Sequence, residues 1–210
     1  MKVVIIGSTG ATGLALVQQA LDRGHHVVAF ARNPAAISIT HDRLEVVQGD
    51  VLDSHVLQRA VRGADAAISV LGVRMGQTRN TVRSAGTRNI VRVLAAAGVM
   101  RFVSVSAVGA GAHLQTLPWI ARVLLPLLVG KWRLEEAGLQ EDVIAKSPLD
   151  WVILRAPRLV DGQGTGSYRI AENVKTGFGD KLPRADLAKA LLDQLAADQF
   201  LRKIPTVTGP

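Results

Sequence analysis

A run of four apolar residues that leads directly into a glycine-rich turn constrains the fold of this chain more than any other feature. The N-terminal sequence reads VVII at residues 3–6, then GSTGATG, then a segment whose apolar residues have helical spacing. A strand without polar alternation is buried on both faces, which is typical of a parallel sheet covered by helices. The segment therefore predicts the first strand, turn and helix of a doubly wound α/β sheet.

Strand and helix patterns alternate as far as residue 155. Strands are predicted at residues 3–6, 26–30, 44–47, 66–70, 102–105 and 151–154, and helices at 12–23, 54–61, 79–97 and 131–146. Beyond them a DGQGTGS loop precedes a predicted strand at 168–174, a helix at 183–197 and a strand at 204–207. We predict one doubly wound domain over residues 1–210, in which residues 155–210 form a small C-terminal lobe on the substrate side.

The composition excludes several classes of function. The chain has no cysteine, which excludes disulfides, thiolate catalysis and cysteine-bound metals and fits a cytoplasmic location. Its five histidines lack the paired spacing of zinc ligands, so we expect no metal site and mostly solvated histidine side chains. No apolar run reaches about 18 residues, so no membrane-spanning helix is expected. The net charge of +8 comes from dispersed arginines without interleaved aromatic residues, which argues against a specific nucleic-acid partner. A small-molecule partner and a monomer or homodimer are expected instead.

The three glycines of GSTGATG have distinct roles in a phosphate-binding turn. Gly7 permits a tight turn after the strand, Gly10 leaves room for a pyrophosphate against the backbone, and Gly13 lets the helix pack closely. The helix N-terminus then presents free N–H groups to the phosphates, and hydroxyl donors stand at Ser8, Thr9 and Thr12. The predicted phosphate-binding residues are Gly7, Ser8, Thr9, Gly10, Ala11, Thr12 and Gly13. The alternative is a glycine-rich turn that binds nothing.

The end of the second predicted strand indicates which dinucleotide is bound. An acidic residue there would bind the ribose 2′-hydroxyl of NAD, but the sequence reads AFARNP and places Arg32 at that position. A guanidinium suits a 2′-phosphate and can stack on adenine, so NADP(H) is preferred over NAD(H). The alternative is a solvated loop arginine. In QGDVLD, Asp50 and Val51 are expected beside the adenine, although a cap or turn role for Asp50 is nearly as favourable.

Several motifs in sequence order give the chain a family resemblance. GSTGATG, AFARNP, QGDVLD, AAISVLG, VRSAGTRNIVRVLAAAGVMRFVSVSAVG, LDWVILRAP and PRADLAKALL resemble the atypical short-chain dehydrogenases. Within them, the chain is most similar to the NmrA-like group and to the biliverdin reductase B or flavin reductase proteins. The resemblance implies a Rossmann fold with three further cofactor-binding segments. They are Leu71, Gly72, Val73 and Arg74 at the riboses and phosphates, Ser104, Val105 and Ser106 beside the nicotinamide, and Ala156, Pro157 and Arg158 over its amide.

Ser106 is the candidate catalytic residue, since it follows the fifth strand at the carboxyl edge where open α/β sheets place their sites. Its hydroxyl can bind an acceptor carbonyl or position the nicotinamide; the alternative is a strand-end serine bonded to backbone. Two residues depart from the expected patterns. The single tyrosine, Tyr168, is followed four residues later by Glu172 rather than by the lysine of a Tyr-x-x-x-Lys pair. Arg158 stands where flavin reductase-like proteins have a histidine.

These features predict an NADPH-dependent oxidoreductase that reduces a small planar acceptor, such as a flavin or a quinone, by hydride transfer. Hydride transfer between stacked rings depends on placement of the rings rather than on a tyrosine acid. The alternative is an NmrA-like regulator that binds the dinucleotide and senses its redox state without turnover.

The segment LPWIARVLLPLLVGKW, at residues 117–132, is the most apolar stretch of the sequence. Pro118 and Pro126 are expected to break any long helix within it. Core packing or a dimer interface is one interpretation. A lid over a lipophilic acceptor and peripheral contact with a membrane are the others.

Overall fold

An eight-stranded sheet forms the centre of the protein, as seen in a computed structural model that describes residues 1–73, 76–172, 174 and 179–210. Its strands are β1 (Lys2–Ile6), β2 (His26–Ala31), β3 (Leu44–Gln48), β4 (Ala66–Ser69), β5 (Arg101–Ala107), β6 (Asp150–Ala156), β8 (Arg169–Ala171) and β10 (Thr206–Thr208). Their order is β3-β2-β1-β4-β5-β6-β10-β8. Every neighbouring pair is parallel except β10 and β8 at one edge. The predicted doubly wound α/β fold is confirmed.

Helices cover both faces of the sheet. They are α1 (Ala11–Asp22), α2 (Ser54–Val61), α3 (Val82–Ala97), α4 (Trp119–Leu125), α5 (Lys131–Ala145) and α6 (Arg184–Asp193). One face packs against α1 and α6, and the other against α2, α3 and α5. Alternate residues of β1 serve the two faces: Val3 and Ile5 join one core cluster, and Val4 and Ile6 join the other. All four are fully buried, which confirms a strand enclosed on both sides.

Residues beyond the sixth strand add to the main sheet and to its covering layer. The predicted strands at 168–174 and 204–207 correspond to the shorter β8 and to β10, and the predicted helix at 183–197 corresponds to α6. That helix ends at Asp193 because Gln194 and Leu195 donate to carbonyls three residues back, which tightens the last turn. Two strands were not predicted: β7 (Arg158–Val160) and β9 (Lys181–Pro183), which pair with each other outside the main sheet.

Apart from the buried Leu117, the apolar segment 117–132 lies outside the core, so its interpretation as core packing is wrong. Helix α4 has no buried residue. Pro118 precedes α4, and the α-helix ends at Leu125, directly before Pro126, as expected. The helical path nevertheless continues as a turn of π-helix, Pro126–Gly130, because Pro126 has helical φ and ψ of −62° and −30°. A proline has no N–H to continue the α-helical ladder, and a π turn accommodates that loss. The interruption comes at Gly130, whose φ of +94° favours glycine.

Candidate functional site

The glycine-rich turn after β1 is shaped by close approaches of the backbone. Gly7 has a φ of +88°, and a Cβ built on it would lie 3.0 Å from the Val70 carbonyl oxygen. A Cβ at Gly13 would lie 2.8 Å from backbone atoms of Ser8 and still closer to the Gly7 carbonyl oxygen. A Cβ at Gly10, the residue that caps α1, would meet only the Gly7 oxygen, at 3.6 Å. Gly7 and Gly13 are therefore required by the protein's own packing, whereas the space beside Gly10 is open.

A cavity of about 450 Å³ opens beside this turn, at the carboxyl ends of β1, β2 and β4. The predicted cofactor residues that line it are Gly7, Thr9, Gly10, Ala11, Thr12, Gly13, Arg32, Val51, Leu71, Gly72 and Val73. The other lining residues are Phe30, Ala31, Gly49, Val70, Gln77, Val82, Leu159 and Arg184. The volume lies within the range of small-molecule sites, and the location is the crevice that open α/β sheets use for ligands.

Positive charge surrounds this cavity. The described residues that line it include two arginines, Arg32 and Arg184, and no carboxylate. In the described part of the chain the exposed Arg32 guanidinium has no hydrogen-bond or ion-pair partner, whereas Arg184 pairs with Asp161 at 2.9 Å. The N-terminus of α1 adds unpaired N–H groups and the positive end of the helix dipole. An open glycine cradle with a cationic rim fits the phosphates of a dinucleotide.

Two predicted cofactor residues are engaged in other contacts. The Ser8 side chain is fully buried and donates its single hydroxyl hydrogen to the Phe30 carbonyl oxygen at 3.1 Å. That hydrogen bond ties the turn to the end of β2, so the hydroxyl does not serve as the expected phosphate donor. Asp50 does not line the cavity, and its Oδ1 accepts the Leu52 N–H at 2.9 Å. This is the turn role that the sequence left open.

Beneath the carboxyl end of β5, polar side chains form a buried network with α3 and α5. Ser104 is fully buried, and its Oγ accepts a hydrogen bond from Gln140 Nε2 at 2.8 Å. Gln140 Oε1 accepts from the Arg83 guanidinium, which also donates to the Val105 carbonyl at 3.2 Å. Burial lowers the pKa of Arg83 to about 10, against the opposing charges of Glu141 and Glu136. Ser104 and Val105 therefore help to join the sheet to its helices, and neither lines the cavity.

Ser106 lies one step further along the same face of β5, and its environment differs from that of Ser104. Its side chain is only 3% exposed, yet its Oγ has no hydrogen-bond partner among the described residues. Its register partner on β6 is Arg155, which binds Glu141 of α5 through two hydrogen bonds of 2.9 and 2.6 Å. Gln140, the neighbour of Glu141 on α5, already donates to Ser104. A buried hydroxyl without a partner requires water or a ligand to satisfy it.

His113 differs from the solvated histidine that was expected. It is half-buried in the 3₁₀ turn after β5, Gly111–Thr116, and its Nδ1 accepts the Gly109 N–H at 3.1 Å. Burial, together with the nearby charge of Arg155, lowers its pKa to about 4. At neutral pH the ring is therefore uncharged, with its hydrogen on Nε2.

Tyr168 is not available as an acid or a base near neutral pH. Its hydroxyl donates to the Asp193 carboxylate of α6, and burial followed by this hydrogen bond raises its pKa well above the ordinary value. Such a phenol does not exchange protons near neutral pH. Across residues 1–73, 76–172, 174 and 179–210 there is also no group of acidic and histidine side chains that could hold a metal ion.

The last predicted segment lies at the junction of β6 and β7. Ala156 is buried and accepts the Val108 N–H at 3.0 Å, Pro157 is half-buried, and Arg158 is exposed at the start of β7. None of them lines the cavity, and Arg74 lies outside the described residues. The lining residue that the sequence reasoning missed and that carries charge is Arg184. It stands in the quoted motif PRADLAKALL, at the second position of the helix predicted over 183–197, where a single cation gave no signal of its own.

The comparisons with known proteins agree with this geometry. The family described as NAD(P)H-binding matches residues 7–198. A 3 beta-hydroxysteroid dehydrogenase/Delta 5→4-isomerase of Mycobacterium tuberculosis is 44% identical over 64 residues, 30% of this chain. That match spans only 17% of the relative's own length.

Two solved structures resemble the whole chain. ChuY, an anaerobilin reductase from Escherichia coli, has a TM-score of 0.83 at 25% identity, covering 100% of this chain and 98% of ChuY. A short-chain dehydrogenase/reductase from Veillonella parvula, solved in complex with NADP, has a TM-score of 0.78 at 22% identity, covering 100% of this chain and 94% of its own. The predicted resemblance to the atypical short-chain dehydrogenases is confirmed, and the fold is that of NAD(P)-binding oxidoreductases.

Proposed function

The chain belongs to the NAD(P)H-binding family, and from that premise we propose that it is an NADPH-dependent reductase of a small, flat, conjugated acceptor. Flavins, quinones and bilin-like tetrapyrroles are the acceptor classes that we favour, the last because ChuY is an anaerobilin reductase. The observation that carries the proposal is the cavity beside the glycine turn, which has two arginines and no carboxylate among its described lining residues.

We assign the adenosine half of the cofactor to the cavity at the ends of β1 and β2. The N–H groups at the start of α1 bind the pyrophosphate across Gly10, and Thr9 and Thr12 add hydroxyls. Arg32 binds the 2′-phosphate, because its guanidinium is exposed at the rim without a protein partner in the described chain. A carboxylate at this rim would favour the 2′-hydroxyl of NAD, and the described lining residues contain none.

We assign the binding of the acceptor to Ser106. When bound, the reduced nicotinamide supplies a hydride. The Ser106 hydroxyl donates a hydrogen bond to a carbonyl or ring nitrogen of the acceptor, which satisfies a buried hydroxyl that has no partner among the described residues. Tyr168 is bound to Asp193, so the proton that completes the reduction comes from solvent rather than from a tyrosine.

NADPH oxidation with a panel of acceptors tests the proposal directly. We expect loss of NADPH absorbance with FMN, a short-chain quinone or anaerobilin, and a lower kcat for Ser106→Ala. The loss of a hydrogen-bonded charge pair costs about 1.5–3 kcal/mol, so Arg32→Ala should raise the KM for NADPH about 10- to 150-fold and that for NADH far less. Arg59→Ala removes an equally exposed arginine on α2 and is the control. Equal changes for the two coenzymes in Arg32→Ala would exclude the 2′-phosphate role.

A dinucleotide-sensing regulator is the second candidate, and the specific observation in its favour is the bound state of Tyr168. Without a tyrosine acid, the same cavity can bind NADP(H) without turnover. Tight NADPH binding in calorimetry, with no oxidation by any acceptor of the panel, would support the regulator over the reductase.

A further inference from the structure

An apolar helical face lies exposed between β5 and α5. Trp119, Leu127 and Leu128 are 70%, 75% and 60% exposed, and Ile120, Val123 and Leu124 are exposed beside them. These six residues stand at 119/120, 123/124 and 127/128, a four-residue spacing that places them along one side of α4 and the following π turn. We call them the α4 patch. Leu117 is buried, and Leu125 lies so close to Gly109 that a Cβ there would overlap it.

The α4 patch is unusual for a surface. Protein surfaces normally carry isolated apolar residues, whereas contiguous apolar patches mark interaction sites. Two leucines more than half exposed beside an exposed tryptophan have no structural role in the described part of the chain, because the inner side of the segment alone packs on the turn after β5. Such a patch is typical of a surface that has an occupant from outside the chain.

The distribution of charge identifies that occupant. Residues 66–134 contain nine lysines and arginines and no aspartate or glutamate, while the rest of the chain carries 16 basic and 17 acidic residues. Of these nine, Arg83 binds Gln140 and Val105 beneath β5, and Arg101 stands at the opposite, amino end of that strand, so only some of them lie near the α4 patch. Arg122 and Lys131 are exposed at the patch itself, and Arg79 lies near the start of α5. Glu135 lies within 4.0 Å of Arg79 and 3.8 Å of Lys131. Glu136 and Asp142 line the same surface pocket as Arg79, further along α5.

We propose that the α4 patch docks on the surface of an anionic lipid bilayer. A helix that presents leucines and a tryptophan on one side, with basic residues at its flanks, has the composition of a segment that lies in the membrane interface. Tryptophan is favoured at headgroup depth, and each nearby lysine or arginine adds attraction to anionic headgroups. None of the helices in the described residues has the length and apolarity to cross a bilayer, so this contact is peripheral.

A second copy of the chain fits the patch less well. A twofold interface through the α4 patch would bring the exposed Arg122 and Lys131 of both copies to the same contact region, where they would repel one another. The headgroups of an anionic bilayer would balance the charges of these basic residues. The α4 patch follows β5, which carries Ser106, and precedes α5, which packs on β5, so docking brings that edge of the protein to the membrane.

Vesicle co-sedimentation tests the docking. The probes are phosphatidylcholine vesicles with and without phosphatidylglycerol, at low and high salt. We expect the protein to sediment with the anionic vesicles, to stay in solution with the neutral ones, and to bind more weakly at high salt. Trp119 fluorescence should shift to the blue on binding, and Trp119→Phe should remove that shift while binding persists.

Paired variants separate the apolar contribution from general basicity. Leu127→Ser/Leu128→Ser should weaken vesicle binding about tenfold or more, because two exposed leucines no longer enter the interface. Leu139→Ser, an exposed leucine of α5, should bind as the wild type does. Arg122→Glu/Lys131→Glu should weaken binding to anionic vesicles about tenfold or more, whereas Arg59→Glu on α2 should have less effect. All the substituted side chains are exposed, so thermal unfolding should be unchanged.

Three results would overturn the proposal. The first is a wild-type protein that stays in solution with anionic vesicles. The second is equal binding by the wild type and by Leu127→Ser/Leu128→Ser, which would show attraction by charge alone. The third is a dimer in light scattering that Leu127→Ser/Leu128→Ser converts to a monomer, with no vesicle binding by either. Because vesicle binding is measured without coenzyme or acceptor, its failure is independent of the outcome of the NADPH oxidation assay.

Discussion

Substitution by alanine at two glycines of the turn after β1 should affect stability at one position and not at the other. In Gly13→Ala, the new Cβ would lie 2.8 Å from Ser8 backbone atoms and closer still to the Gly7 carbonyl oxygen. These are backbone atoms at the end of a fully buried strand, so α1 must move away from β1. Such overpacking costs up to about 3 kcal/mol. The helical preference of alanine over glycine returns about 1 kcal/mol.

We therefore expect Gly13→Ala to lower the free energy of unfolding by about 2 kcal/mol, the difference of those two effects. For a chain of this length that corresponds to a drop in Tm of about 4–8 °C. Coenzyme binding should weaken as well, because the turn and the start of α1 are displaced together.

Gly10→Ala should preserve stability and weaken coenzyme binding. Gly10 has a φ of −75° and a ψ of 159°, which alanine adopts freely, and its new Cβ would meet only the Gly7 oxygen at 3.6 Å. We expect the free energy of unfolding to change by less than about 0.5 kcal/mol. The methyl group occupies the cavity side of the turn, where overpacking against a pyrophosphate of about 1–3 kcal/mol raises the Kd for NADPH about 5- to 150-fold.

Differential scanning fluorimetry, with and without NADPH, measures both effects in one experiment. Gly10→Ala should melt with the wild type in the absence of coenzyme and lose the stabilisation that NADPH gives. Gly13→Ala should melt earlier in both conditions. A Gly10→Ala protein that binds NADPH as tightly as the wild type would refute the assignment of the pyrophosphate to this turn. A Gly13→Ala protein with unchanged Tm would refute the close approach of α1 to β1.

Three further predictions concern the surrounding network. Glu141→Gln leaves the Arg155 guanidinium buried without a carboxylate and should cost about 3 kcal/mol in urea unfolding, whereas a change below 1 kcal/mol would show that this ion pair is well solvated. Asp186→Asn weakens three hydrogen bonds from Thr165 and Gly166, so thermal melts should show a loss of about 1–3 kcal/mol. The lowered pKa of His113, about 4 against 6.5, makes its contribution to stability complete above pH 6.5 and lost as the pH falls towards 4. Allowing for screening of the half-exposed ring, the wild type should lose about 1 kcal/mol more than His113→Gln over that range in denaturant titrations, and parallel pH curves would contradict the burial of the ring.

The strands of the sheet could be predicted because burial on both faces leaves a continuous apolar run. Residues 3–6 satisfy this condition completely, but Lys2 at the start of β1 and Arg101 at the start of β5 do not. Polar residues at strand ends pair their backbone in the ladder while their side chains reach solvent or bind elsewhere. Lys2 donates to the Arg62 carbonyl, and Arg101 binds carbonyls after α6. Three-residue strands such as β7 carry no periodicity at all, so pattern analysis does not find them.

The residues of the candidate site also differ in how far the sequence predicts them. The glycine turn and Arg32 follow strands directly, so their place in the fold is set by a few neighbouring residues. Arg184 reaches the same cavity from a helix more than 150 residues along the chain from Arg32, and only the packing of α6 against α1 brings it there. For Ser8 the sequence predicts the position of the residue but not the contact of its side chain. Its position is local, but the direction of its hydroxyl depends on the Phe30 carbonyl of a different strand.

The segment 117–132 shows why apolarity alone does not locate a residue. Hydrophobic free energy depends on the area removed from water, whichever surface removes it, so a leucine in a core and a leucine on an exposed helix face read alike in a sequence. The charged residues that flank an apolar segment help to decide between these two positions. A core segment has no reason to be flanked by unbalanced cations, because burial near them is costly. The exposed Arg122 and Lys131 beside the exposed leucines therefore favour the proposed face towards an anionic surface over one turned inwards.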